Sequence, residues 1–315
     1  MVNIRNYNPT GLYNYPVSKK NVIEIRKLKE GEKASIVSNT MFKTMFQNKD
    51  RIKYSAKLLS YIIDISYEEL VKSIRLYKND VDKEYNSDKT QTCDYVAEIN
   101  GSYVNIEVNN NSSIETMERN IQYLNTMYAR NIEEGSKYEY QQVIQINLNN
   151  FSFRGKEKEM EIYGIKNEEG EVLTKNITYI QIYIPKIREK WYNYGTNKLN
   201  EFERCILALA EPNIELAKEI IIGDEIMEKY VDESVDVCKE KNFGESYDKE
   251  WALKDEYIRE GIEQGIEQGI EQGEKNKTIE IAKNFLVSGI DEKVISENTG
   301  LSLTELNKLK DEIEK

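Results

Sequence analysis

The segment spanning residues 92–109, TCDYVAEINGSYVNIEVN, constrains the fold more than any other part of the chain. Asn100 and Gly101 lie between two runs in which apolar and polar residues alternate, and an Asn-Gly pair tolerates the positive φ angles of a two-residue type I′ turn. Such a turn predicts an antiparallel hairpin and fixes its register. Counting outward from the turn places Asp94 opposite Glu107.

Side chains alternate along a strand, so the two faces of this hairpin differ in character. The apolar face, which we expect to join the core, carries Cys93, Tyr95, Ala97, Ile99, Val104, Ile106 and Val108. The opposite face carries Asp94, Val96, Glu98, Tyr103, Asn105, Glu107 and Asn109. The second face is therefore the candidate functional site.

Two carboxylates on opposed strand residues have Cβ atoms about 4.5–5.5 Å apart, and they repel each other unless a cation or a proton lies between them. A hard divalent cation is a natural partner, because Mg²⁺ is held by one or two carboxylates together with water and substrate phosphate oxygens. The alternative is the polar outer face of an edge hairpin, with both acids pointing into water. Spacing alone favours this alternative.

The composition excludes several classes of enzyme. The chain has no histidine, so hydrolases with a Ser-His-Asp or Cys-His arrangement and zinc hydrolases with imidazole ligands are excluded, whereas carboxylate–metal chemistry remains. Three widely spaced cysteines indicate neither a disulfide framework nor a zinc site and are expected to be reduced. No apolar run is long enough to span a membrane and no signal peptide is visible, so we predict a cytoplasmic protein without a membrane partner.

The charge is distributed unevenly along the chain. The net charge is −12, yet residues 1–78 hold 15 Lys and Arg against 7 Asp and Glu. A basic segment next to an acidic site is an arrangement that attracts the phosphate backbone of a nucleic acid. The alternative is that the basic and acidic regions attract each other within the fold.

Beyond these physical arguments, the sequence resembles a known family. Asp94, followed after twelve intervening residues by Glu107 in the segment IEVN at residues 106–109, resembles the D…(D/E)-x-K core of the PD-(D/E)XK nucleases. More narrowly, residues 104–109 are similar to the "vnIEiQ" strand of the Rpn family of recombination-promoting nucleases, which are also described as transposases. Residues 39–46, NTMFKTMF, resemble the opening helix of that family, D-x-x-F-K-x-x-F, and residues 135–138 resemble the entry to its next strand.

The resemblance implies an α/β fold with a mixed β-sheet flanked by helices, followed by a helical C-terminal appendage. It also implies a metal-dependent DNA endonuclease, linked to recombination or transposition, that uses Mg²⁺ or Mn²⁺. In this chain Asp94 and Glu107 would hold the metal, and the backbone carbonyl of Val108 would complete the coordination. The amide of Asn109 would orient water or phosphate. DNA is the expected partner.

Two departures from the family pattern are expected to weaken the site. The opening Asp of the family is Asn39 here, and the Lys or Gln at the third position of the core is Asn109. Asn39 and Arg119 are accessory candidates only. A helix cap is the more common role for a residue such as Asn39. An exposed salt bridge with Glu115 is the more common role for Arg119. These departures support a second hypothesis, a catalytically degenerate member that binds DNA or a protein partner without cleavage.

We predict four segments along the chain: an N-terminal arm at 1–34, the nuclease-like domain at 35–243, a Gly-x-x-x-Gly repeat helix or tether at 244–277, and a small helix-turn-helix-like unit at 278–315. Small residues at every fourth position allow two helices to approach closely, so the repeat predicts a homodimer through the C-terminal helices, with an acidic tether as the alternative. Residues 291–315 hold seven acids and four lysines, which favours packing or dimer contact over DNA reading by the last unit.

Overall fold

The computed structural model of the chain describes residues 11–12, 15–77, 80–81, 91–130 and 140–313. The chain forms two compact units, Met1–Trp251 and Ala252–Lys315. Residues 1–10 and 13–14 of the predicted arm and the family-like segment 135–138 lie outside the described residues, and the finer division into four segments stays a prediction. Within the described ranges, no helix combines the length and the apolar character needed to cross a membrane.

The strands are β1 (Val17–Ser18), β2 (Arg75–Leu76), β3 (Asp80–Val81), β4 (Gln91–Thr92), β5 (Tyr95–Ile99), β6 (Ser102–Asn109), β7 (Val143–Asn149), β8 (Ser152–Phe153), β9 (Met160–Gly164) and β10 (Ile177–Tyr183). The helices are α1 (Asn39–Phe46), α2 (Ile52–Ser60), α3 (Tyr67–Ser73), α4 (Ile114–Arg130), α5 (Ile184–Tyr194), α6 (Glu201–Ala210), α7 (Ile214–Ile220), α8 (Glu225–Lys239), α9 (Lys241–Val287), α10 (Glu292–Thr299) and α11 (Leu303–Ile313).

The centre of the first unit is a six-stranded sheet with the order β2-β5-β6-β7-β10-β9. Strands β6, β7 and β10 run parallel to one another, whereas β2, β5 and β9 pair antiparallel to their neighbours. The parallel pair β6–β7 needs a crossover connection, and α4 provides it. The predicted mixed sheet flanked by helices is therefore confirmed.

The Asn-Gly turn has the predicted conformation. Asn100 has a φ of 51° and Gly101 a φ of 79°, the positive pair that a type I′ turn requires. The strands on either side pair in the predicted register, with Tyr95 opposite Ile106 and Ile99 opposite Ser102. Local turn chemistry thus sets the position of every side chain on this hairpin.

Replacing Gly101 with Ala is expected to lower the free energy of unfolding by about 1–2 kcal/mol, because a Cβ atom disfavours the left-handed region. Nothing lies within 4 Å of the position that this Cβ would occupy, so the loss would reflect backbone strain alone. Gly164→Ala is the matched control, since its Cβ would meet the Ile177 carbonyl oxygen at an ordinary 3.8 Å. Urea denaturation measures both variants, and equal values would contradict the strain argument.

One face of the sheet packs against helices and forms the main core. Phe42, Met45 and Phe46 of α1, predicted to share one helix face, are fully buried. They join the apolar side chains of the hairpin and of α2, α6 and α8 in a single cluster. Helix α1 is consequently held rigidly beside the start of β5, which places it next to the candidate site.

The opposite face of the sheet differs from expectation at two points. Cys93 was predicted on the core face, but β5 begins only at Tyr95, so the strand alternation does not extend to Cys93. This thiol packs instead beneath α4 with Val96 and Tyr123. In α4, apolar residues recur at helical spacing and predict one apolar stripe: Ile114, Met117, Ile121, Leu124 and Tyr128. This stripe is wrong in part as a buried face, because Ile114 is 53% exposed while Asn120 is buried.

The second unit has a small core of its own. Its buried side chains are Ala282, Ile295, Leu306 and Leu309. Helix α10 ends at Gly300, which has a φ of 72°. The predicted capping box at the start of α11 is confirmed, because the Ser302 N–H donates to Glu305 Oε2 at 2.9 Å and the Glu305 N–H donates to Ser302 Oγ at 3.3 Å.

Candidate active site

The structure brings Asp94 and Glu107 together at the end of the hairpin. Residue pairing stops at Tyr95 and Ile106, so Asp94 is free of the ladder and its backbone N–H donates to Glu107 Oε1 at 3.1 Å. The N–H of Val108 donates to Asp94 Oδ2, also at 3.1 Å. Each carboxylate is therefore oriented by the backbone of the opposing strand.

Both carboxylates are buried, with Asp94 8% and Glu107 2% exposed. Burial, followed by the charge of Asp94, raises the pKa of Glu107 well above its usual range. Asn105 Nδ2 donates to Glu107 Oε1 at 3.2 Å and partly offsets this effect. Two desolvated carboxylates offer only oxygen atoms as metal ligands, and oxygen ligands are what a hard divalent cation prefers.

The two acids form a pair to which the described part of the chain adds no third ligand of the Cys, Asp or Glu type. Among the described residues, no group of three or more Cys, Asp, Glu or His side chains is placed to hold a metal ion. Mg²⁺ does not require such a group, because water and substrate phosphate oxygens commonly supply its remaining ligands. The pair is thus compatible with an ion that binds together with its substrate.

Helix α1 contributes side chains that the sequence did not identify as site residues. Lys43 Nζ lies 3.3 Å from Asp94 Oδ1, and the Gln47 side-chain amide donates to the backbone carbonyl of Asp94. These residues are four positions apart and share one helix face with Asn39. The sequence did carry a signal, since Lys43 belongs to the F-K step of the family-like helix.

Asn39 itself lies at the first position of α1. Its backbone N–H donates to Glu250 Oε1 at 2.9 Å, and its side chain is exposed. Ser38 is the N-cap of this helix, because its hydroxyl accepts a hydrogen bond from the Met41 N–H at 3.1 Å. The assignment of Asn39 as an accessory metal residue stays a prediction.

Asn109 is engaged on both sides of its amide. Its Nδ2 donates to Asn149 Oδ1 at 3.0 Å, and its Oδ1 accepts from Asn120 Nδ2 at 3.1 Å. The side chain is only 3% exposed. In this arrangement the Asn109 side chain is bonded to β7 and α4, while Glu107 lies two positions earlier on β6 and Asp94 lies directly before β5.

Asn109 belongs to a layer of buried carboxamides between the sheet and α4, which we call the amide layer. Its members are Asn105, Asn109, Asn120, Gln145, Asn147, Asn149 and Gln181. Hydrogen bonds connect them from the Glu107 carboxylate to Gln181. The sequence signal was present, because Asn or Gln occupies every second position in 105–109 and 145–149 apart from Glu107.

Arg119, the second accessory candidate, lies on α4. Its guanidinium carbon is 5.8 Å from the centre of the Tyr123 ring, and its charge favours the ionised form of Glu107. Cys93 lies on the same side, where burial and then the charges of Glu107 and Asp94 raise the pKa of its thiol. This thiol is therefore a poor nucleophile in the metal-free protein.

Comparison with known proteins identifies the nuclease-like region. A family model described as PD-(D/E)XK nuclease family transposase matches residues 38–261 of the chain. No curated protein and no solved structure matches the sequence. The matched range begins at the N-cap of α1 and contains the hairpin, α4 and the amide layer, so the site lies wholly within the matched region.

Proposed function

Because the chain belongs to the PD-(D/E)XK nuclease family transposases, we propose that it is a metal-dependent DNA endonuclease that hydrolyses phosphodiester bonds at Asp94 and Glu107. Members of this nuclease superfamily use divalent metal ions, and the nuclease family implies a DNA substrate. The observation that carries the proposal is the buried carboxylate pair, whose mutual repulsion a divalent cation would relieve.

In this proposal Asp94 and Glu107 bind Mg²⁺ or Mn²⁺, and the carbonyl of Val108 adds a third ligand. A metal ion in such a site would lower the pKa of its bound water and polarise the phosphoryl oxygen. The ion would thereby do the work of a histidine base, which this chain lacks. The Asp94 and Val108 backbone N–H groups orient the carboxylates before the ion arrives. Asn109 acts as a positioning residue, since both ends of its amide hold β6 against its neighbours.

The direct test is cleavage of supercoiled plasmid by the purified protein in the presence of Mg²⁺ or Mn²⁺. Asp94→Asn is expected to lose this activity, because it removes one of the two negative ligands. Asp64→Asn is a matched control at an exposed position after α2 and is expected to cleave like the wild type. Cleavage that persists unchanged in Asp94→Asn would overturn the assignment of the site.

A second candidate function is binding of DNA or a protein partner without cleavage. The observation that favours it is the engagement of Asn109 in the amide layer, because a short amide that is bonded at both ends stands where the family places the longer Lys or Gln. Calorimetric titration with Mn²⁺ separates the two candidates. Binding that is lost in Glu107→Ala supports the enzyme, and no binding by the wild type supports the degenerate form.

The remaining parts of the proposal concern the cellular setting. Cys93, Cys205 and Cys238 are free thiols, which is consistent with a reducing compartment such as the cytoplasm. A homodimer through the C-terminal helices and a role in recombination or transposition complete the proposal. Sedimentation of the full-length chain, with and without Gly265→Leu in the repeat, tests the dimer.

A further inference from the structure

We infer that Lys43 is the cationic residue of this site and that its ammonium group binds the phosphodiester that is to be cut. This inference rests on the proposed nuclease function and extends it to a residue outside the carboxylate hairpin. The reaction places negative charge next to two carboxylates, so a positive protein group beside them lowers the energy of the transition state. Lys43 forms an ion pair with Asp94, one of these two carboxylates.

The first observation is where Lys43 lies. Its Nζ is 3.3 Å from Asp94 Oδ1, and the Lys43 side chain is 38% exposed while that of Asp94 is 11% exposed. The lysine therefore extends from solvent to the buried carboxylate. A DNA phosphate that approaches Asp94 along this side chain would meet the ammonium group first.

The second observation is that two other polar groups of the described part of the site have contacts of their own. The Asn109 amide is uncharged and bonded at both ends to Asn149 and Asn120. Arg119 lies on α4 and faces the ring of Tyr123. Lys43 approaches Asp94 from α1, on the other side of the hairpin, with a flexible four-carbon arm that can turn from a carboxylate to a phosphate.

The third observation is that the backbone of Lys43 is fixed. Glu250 accepts hydrogen bonds from Ser38 Oγ at 2.7 Å, from the Asn39 N–H at 2.9 Å and from the Thr40 N–H at 3.1 Å. On the opposite face of α1, the rings of Phe42 and Phe46 stack at 5.0 Å within the core. Helix α1 is therefore fixed at its N-terminus and in the core, while the Lys43 side chain can still rotate. Such a helix is a preorganised support for a phosphate-binding residue.

These observations define two roles for one ammonium group. Without metal, Lys43 partly neutralises the charge of Asp94. When a divalent cation competes for that carboxylate, Lys43 is released and its arm reaches outward to the phosphate. The inference therefore predicts opposite effects of one substitution: Lys43→Gln should strengthen metal binding and weaken the contact with DNA.

The experiment compares Lys43→Gln and Lys43→Arg with Lys72→Gln, which removes the same charge from an exposed position on α3. Lys43→Gln is expected to slow plasmid cleavage by about 10²- to 10³-fold. It should also tighten Mn²⁺ binding by about two- to fivefold, the range for a partly exposed ion pair. Lys43→Arg keeps the charge and should retain most of the cleavage, and Lys72→Gln should cleave and bind Mn²⁺ like the wild type.

A measurement without turnover completes the test. Binding of a fluorescent DNA duplex in the presence of Ca²⁺, a hard cation that competes for Asp94 and releases Lys43, is followed against salt concentration. It should show a slope smaller by about 0.9 for Lys43→Gln, as expected for one lost phosphate contact. Wild-type cleavage and salt dependence in Lys43→Gln, together with loss of cleavage in Asp94→Asn, would overturn the role of Lys43 and leave the nuclease proposal intact. A wild-type protein that neither cleaves DNA nor binds Mn²⁺ would overturn both.

Discussion

Replacing Glu107 with Gln is expected to reduce metal-dependent cleavage by at least about 10³-fold while leaving the metal-free fold at least as stable as the wild type. Gln has nearly the same shape and accepts the same hydrogen bonds from the Asp94 N–H and Asn105 Nδ2. It removes the negative charge that holds the ion, and metal-assisted charge stabilisation contributes several kcal/mol to such reactions. It also removes a carboxyl group whose charged form is disfavoured by burial and by Asp94, as its raised pKa shows, and this removal favours folding.

Two measurements check this prediction. Plasmid cleavage gives the loss of activity, and thermal unfolding with EDTA or Mn²⁺ gives the stability. At a Mn²⁺ concentration of about 100 times its dissociation constant, the wild type should gain about 2.7 kcal/mol, and Glu107→Gln should gain much less. Glu98→Gln is a change of the same kind on the same hairpin and should keep the Mn²⁺ stabilisation. Glu98 lies opposite Arg75 of the edge strand β2 in the backbone register, away from Asp94. If Mn²⁺ stabilised Glu107→Gln as much as Glu98→Gln, the assignment of Glu107 as a metal ligand would be wrong.

The hairpin shows what the sequence can predict. Its register depends on Asn100 and Gly101, two adjacent residues whose backbone preferences hardly depend on the rest of the chain. Pairing of Tyr95 with Ile106 and the approach of Asp94 to Glu107 follow from that turn. Caps are local in the same way, which is why the Ser302–Glu305 box was also predictable.

Features that depend on distant parts of the chain were missed. Lys43 and Asp94 are 51 positions apart, and only the docking of α1 against the sheet brings them together. The sequence predicts a strand from Ile177 to Ile184 that Pro185 ends, and the strand does end at Tyr183. Helix α5 was missed, and Pro185 lies in its first turn, where its missing N–H has no cost. The local sequence determines neither the approach of Lys43 to Asp94 nor the helix that follows β10, because both depend on packing.

Helix α4 shows a third limit. Its apolar residues at helical spacing predicted a buried stripe that included Ile114 and Ile121, but Ile121 is 37% exposed and Asn120 is buried. The prediction assumed an apolar sheet face, and the face beneath α4 is the amide layer. Because the amide layer is polar, the side chain of α4 that faces it is the polar Asn120. Hydrophobic periodicity therefore indicated a face of α4 that is rotated away from the observed contact.

The amide layer leads to the prediction with the largest expected effect on stability. Asn147 lies at its centre: Oδ1 accepts from Asn120 Nδ2 at 2.8 Å and from Gln145 Nε2 at 3.0 Å, while Nδ2 donates to the Ile180 carbonyl at 3.0 Å. Asn147→Leu keeps a similar volume but leaves buried groups without partners. Each such group costs about 1–3 kcal/mol, so we expect a loss of at least about 3 kcal/mol in the free energy of unfolding.

Urea denaturation of Asn147→Leu tests this value against Asn193→Leu, the same change at an exposed position of α5, which should alter stability by no more than about 0.5 kcal/mol. A loss of about 3 kcal/mol is a large part of the 5–15 kcal/mol that stabilises a typical domain. Equal stability of the two variants would mean that the carboxamides tolerate an apolar neighbour and do not fix β6. In that case Glu107 would be held by its backbone contact and Asn105 alone, because the chain of hydrogen bonds from Glu107 to Gln181 passes through Asn147.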